Sequence, residues 1–191
     1  MVMTTPREAD LTEAKRKFLE DEFAVSAIMS ALRRSGTYAS GATAKDKERF
    51  RSQFRNVLKE LGQKYEKEVS EKQHERNLLE LIQALETDNW SILAKECLRI
   101  GVAQKALNLY LKYLWCRAWI PVPPHCPFDR IIIQKMPCKD QAWTKMDKLE
   151  EYNTLVQTAR EVANKTGFKN LAEWELVTYA KAVNETLERE S

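Results

Sequence analysis

The sequence predicts an all-α fold, a compact bundle of seven or eight helices. Three observations carry this. The 191-residue chain holds only 5 Gly and 6 Pro, and five of the prolines (Pro121, Pro123, Pro124, Pro127 and Pro137) fall in one short stretch; a sheet-rich fold needs turn residues along its whole length. Apolar residues recur over most of the chain at the three- and four-residue spacing of a helix face. The one run that reads as strand, Ile131-Ile132-Ile133, is too short and isolated to build a sheet. With 43% hydrophobic and 31% charged residues, the composition is that of a globular domain rather than a disordered chain. The length suits one compact domain, with residues 1–90 as a charged helical N-terminal part and 91–191 as a helical core.

Asp10-Leu-Thr-Glu13 has the pattern of a capping box, with Phe18, Phe23, Ile28 and Leu32 forming an apolar side after it. This first helix is expected to end near Ser35-Gly36, followed by a loop over residues 38–43. A charged helix is expected from about Ala44 to Lys72, with Phe50, Phe54, Val57, Leu58 and Leu61 at helical spacing and Gly62 as a bend or break. Leu78, Leu79, Leu81, Ile82 and Leu85 mark a third helix, stopped by Thr87-Asp88-Asn89. Trp90 to Leu98 reads as a short fourth helix, and Gly101 interrupts before a long one, Val102 to Trp119. After the prolines, helices are expected from about Asp147 to Lys165 and from Leu171 to Glu188. Gly167 separates them, and Asn170-Leu-Ala-Glu173 forms a capping box. Trp143 and Trp174 read as core anchors.

Several function classes lose their support at once. No run approaches the roughly 18–20 apolar residues that span a membrane, and Met1 to Leu19 lacks the apolar core of a secretory signal. Cys97, Cys116, Cys126 and Cys138 have no C-x-x-C spacing, which predicts a cytoplasmic chain with reduced thiols. His125 and Cys126 are adjacent, a poor spacing for ligating one metal, so no metal and no cofactor is expected. There is no Walker loop, G-x-G-x-x-G, H-E-x-x-H or G-x-S-x-G.

The net charge of +3 conceals a regional pattern. Residues 1–90 hold 16 basic and 16 acidic residues, residues 91–145 hold 9 and 3, and residues 146–191 hold 6 and 9. The middle segment thus carries +6 and is the place where a phosphate-bearing partner is expected. On its long helix, Ala103, Leu107, Tyr110, Leu111, Leu114 and Ala118 share one side, and Lys105, Asn108, Lys112, Cys116 and Trp119 the other. A Gly-containing turn between two helices presents free backbone N–H groups, which bind phosphate without side-chain charge.

Leu98-Arg-Ile-Gly101-Val102-Ala103-Gln104-Lys105 resembles the hairpin of the helix-hairpin-helix DNA glycosylase superfamily over residues 95–135. Ala103 stands where the second hairpin Gly is usual and Ile100 where a Pro is usual. The resemblance implies a DNA-binding protein with glycosylase and β-lyase chemistry. Gly101, Val102, Ala103 and Gln104 would then form the phosphate-binding turn, and Lys105 the Schiff-base nucleophile. Asp129, in Cys126-Pro127-Phe128-Asp129-Arg130, would stabilise charge developing on the sugar. Asn108, Lys112, His125 and Arg130 would contact nucleic acid. An amine attacks only when neutral, which calls for burial or cationic neighbours around Lys105.

A second resemblance covers residues 95–180. Ala103-Gln104-Lys105, Asn108, Lys112-Tyr113-Leu114, His125, Pro127, Asp129, Trp143-Thr144, Asp147 and Trp174-Glu175 are similar to a pattern in a group of uncharacterised bacterial proteins. It brings no activity with it, but implies that Lys105, Asn108, His125 and Asp129 form one constellation. The rival expectation is a non-enzymatic helical interaction module, in which the 102–119 helix docks a partner and Asp129 caps the helix after it.

Overall fold

A helix that is apolar nearly all round belongs in the middle of a bundle, and the helix at residues 100–116 takes that place. The computed structural model describes residues 6–88 and 90–190. Among them are seven α-helices and no strand: α1 (Pro6–Leu32), α2 (Ala44–Gln63), α3 (Glu71–Glu86), α4 (Ile100–Cys116), α5 (Arg130–Ile133), α6 (Leu149–Lys165) and α7 (Leu171–Glu190). α4 packs against α1, α2, α3 and α6, and α7 lies on α5 and α6. The Ile131–Ile133 run is the body of α5, with Ile132 and Ile133 buried.

Local chemistry sets the ends. α1 begins at Pro6, earlier than the Asp10 pattern suggests, because a proline's fixed φ and missing N–H suit the first turn of a helix. Thr43 and Asp46 make a reciprocal capping box at the start of α2. The charged helix expected through Lys72 stops at Gln63 instead, and Ser70 caps a new helix by accepting a hydrogen bond from Gln73 N–H. Gly62 serves close packing, since a Cβ there would meet Tyr110 Cε1 of α4 at 2.8 Å. Asn170 accepts hydrogen bonds from Ala172 and Glu173 N–H and caps α7 as expected.

The largest departure lies before α4. The expected helix from Trp90 to Leu98 is two single 3₁₀ turns, Trp90–Ile92 and Ala94–Glu96. Lys95 and Glu96 both take left-handed φ, 61° and 60°, a conformation a continuous helix of L-residues does not hold. This segment is pinned sideways by Ala39 N–H on Ile92 O and Ala94 N–H on Thr37 O. Asn89, part of the expected stop, lies outside the described residues. A hairpin of two helices around Gly101 is therefore not formed, and Gly101 sits inside the first turn of α4.

Candidate functional site

The sequence expects outward-facing N–H groups at Gly101–Gln104; the structure closes them. Gly101 N–H donates to Met146 O at 3.0 Å, and Val102 and Ala103 N–H donate to Arg99 O. The Trp143–Lys145 turn lies so tightly over Gly101 that a Cβ there would collide with the Trp143 carbonyl. Gly101, Val102, Ala103 and Gln104 are all buried. Of the usual orphan donors of a helix start, those of Gly101 and Val102 are thus taken up by carbonyls of the chain.

Gln104 has a different task. Its Nε2 donates to Phe128 O at 2.9 Å, and its Oε1 accepts from Phe128 N–H at 3.2 Å. The side-chain amide thus pairs with one residue of the proline loop as a neighbouring strand would, fixing the loop on α4. Beside this clamp runs a buried polar chain. Asn108 Nδ2 donates to the Tyr152 hydroxyl at 3.1 Å, and that hydroxyl lies 2.7 Å from His125 Nδ1. The His125 ring packs edge-on to His74, with centroids 4.5 Å apart, and His74 Nδ1 is 2.8 Å from the Tyr65 hydroxyl. Burial holds both imidazoles neutral, lowering His74 to about 3, with Asn108 opposing the shift in part. His125 is lowered by burial and then by His74 and Arg160.

Lys105 and Asp129 do meet. Lys105 Nζ lies 3.5 Å from Asp129 Oδ2 and 4.7 Å from the centroid of the Trp143 ring. Asp129 is also engaged through Oδ1, which accepts from Ile132 N–H and caps α5. Trp143, expected as a core anchor, is buried and forms the roof over both Gly101 and Lys105. Arg130 is exposed.

Lys112 is buried. It lies 3.0 Å from Glu175 Oε1 and 2.8 Å from Oε2, with its ammonium 4.6 Å from the Tyr179 ring centroid. Burial raises Glu175 to about 7 against the pull of Lys112. Trp174 is buried beside it. Cys126 is fully buried, and burial pushes its thiol well up, so it is an inert packing group. Of the four residues expected together, Lys105 and Asp129 meet at the edge, and Asn108 and His125 meet inside through the Tyr152 hydroxyl, while Lys112 holds α7 through Glu175.

The feature missed in the sequence lies on α1. Leu11, Phe18, Val25 and Met29 are 54%, 64%, 41% and 51% exposed. The periodicity places Phe18 on the buried side with Phe23, Ile28 and Leu32, but it points outward while Ile28 is buried. The signal is the seven-residue spacing of Leu11, Phe18 and Val25, a second apolar stripe on the same helix. Comparison with protein families, curated proteins and solved structures finds no match for this chain.

Proposed function

We propose that this chain is a non-enzymatic helical interaction module that docks a protein partner through the outer face of α1. The observation that carries this reading is the row of four large apolar side chains left in water along one helix. Single exposed apolar residues are ordinary, whereas four aligned on one helix face mark an interaction surface. The partner-docking helix is then α1, because the 102–119 region expected in that role is the centre of the bundle. The proline loop fits the same reading as an ordered brace, with Asp129 capping α5. A photo-cross-linking residue at position 18 in cells should give discrete adducts that excess wild-type protein competes away. Labelling no different from the same probe at exposed Lys169 would sink the reading.

One observation favours a second reading, DNA binding with lysine chemistry: the approach of Lys105 Nζ to Asp129 Oδ2. Borohydride reduction in the presence of an abasic-site duplex tests it. A covalent adduct that disappears in Lys105→Ala, with binding that weakens steeply as salt rises, would establish it. No adduct and no salt-dependent binding would end it.

A further inference from the structure

We infer that the partner seated on α1 is a second copy of this chain, running antiparallel with a two-fold axis at Phe18; this rests on the interaction-module reading. The stripe from Leu11 to Met29 extends about 27 Å along the helix at 1.5 Å per residue. The charges along that span are informative. Glu13 pairs with Lys17, Arg16 with Glu20, and Asp21 with Lys59. Among the described residues, Lys15 and Glu22 are the charged side chains of the span with no ion-pair partner in the chain. Both are exposed, and the helical period places both on the Phe18 side of α1, about one turn before it and one turn after it.

An antiparallel copy satisfies the two partnerless charges and the Leu11–Phe18–Val25 part of the stripe with one operation. Phe18 meets its own mate across the axis, Leu11 faces Val25 of the other copy, and Lys15 comes beside the other copy's Glu22, twice. Such a contact is self-complementary and closed, as a two-fold interface must be. It also supplies relief for the ridge. A groove of about 540 Å³ runs beside Phe18 between α1 and the end of α4, lined by Lys15, Phe18, Leu19 and Trp119. A neighbouring helix packs its ridge into a groove of this kind. A parallel copy pairs the charges differently: Lys15 would face the other copy's Asp10 and Glu22 its Lys17, across the seam of a parallel helix pair.

Charge exchange separates these cases in the full-length protein by sedimentation over a range of concentrations. Wild type should form a reversible dimer, and Phe18→Glu should raise the dimer dissociation constant at least tenfold. Lys15→Glu and Glu22→Lys should each weaken the dimer several-fold. The double variant K15E/E22K, and an equimolar mixture of the two single variants, should restore it. All these positions are exposed, and an unchanged circular dichroism spectrum and melting curve at low concentration checks that each variant folds. Weakening without rescue in the double variant would overturn the antiparallel arrangement. In a parallel pair the exchanged charges repel, because the new carboxylate at position 15 faces Asp10 and the new ammonium at position 22 faces Lys17. A monomer at every concentration would overturn self-association. In that case adducts to other proteins from position 18 would keep the interaction reading, and their absence would end that as well.

Discussion

Gly101 shows how one missing Cβ decides what a helix end can do. Its hydrogen atom lets the Trp143 carbonyl lie against the first turn of α4, which places the Met146 carbonyl on Gly101 N–H. Gly101→Ala forces backbone apart rather than a flexible side chain, so overpacking of about 3 kcal/mol is expected. Chemical denaturation measures it, and a loss below about 0.5 kcal/mol would show that the turn over α4 yields easily. His74 and His125 carry the pH dependence. Their folded pKa values lie below the unfolded value, so the unfolded state binds more protons. Their stabilising effect is complete above about pH 6.5 and is lost as pH falls below it, for His74 down to about 3. Glu175, raised to about 7, works the other way between 7 and the ordinary carboxylate range, so it offsets part of that loss. Imidazole proton shifts that stay at neutral-form values down to pH 5 would bear this out; titration near 6.5 would refute it.

At the scale of elements, α4 is held by more than its apolar side. Gln104 replaces a strand partner for Phe128, so Gln104→Leu leaves a buried N–H and C=O unpaired and should cost about 2–4 kcal/mol. Fast hydrogen exchange at the Phe128 amide, with α2 and α3 protection unchanged, is the expected pattern. Much of the element list was legible: α6 and α7 fall within two residues of their expected bounds, and the Asn170 cap is where the sequence places it. The segment before α4 was not, because nothing local to Lys95 and Glu96 announces left-handed backbone in residues that rarely adopt it. The α2–α3 break is hidden for a related reason. A charged run continues the helical pattern through it, and the stop comes from Ser70 offering a better start to a new helix. On α1 the periodicity makes the apolar side too broad: a helix with two apolar stripes looks the same from sequence whichever stripe faces inward.

For the whole molecule, the charge partition acts within the chain. Lys95 and Arg99 pair with Asp147, Lys112 with Glu175, and Lys135 with Glu185. The basic middle segment is thus met by the acidic C-terminal one, and the deepest of these contacts fastens α7 to α4. Lys112→Ala strands the Glu175 carboxylate in the core and should cost about 3–5 kcal/mol, whereas Lys112→Met with Glu175→Leu should come close to wild type. Equal stabilities for the two variants would show that the pair is not buried in solution. Among the described residues, no helix is long and apolar enough to cross a membrane.

The sequence by itself determined the helical class, the bounds of α6 and α7 to within two residues, the Asn170 cap and the opposed charges of the middle and C-terminal segments. These depend on periodicity and on contacts a few residues apart. Only the tertiary structure decided what the middle segment's polar residues do. Periodicity says which residues share a face, not how many neighbours cover it. α4 is covered on nearly every side, so Gln104, Asn108 and Lys112 became internal partners, and the N–H groups at Gly101–Ala103 were taken up by carbonyls of the chain. The same packing turned a second stripe of α1 outward, where the proposed partner binds.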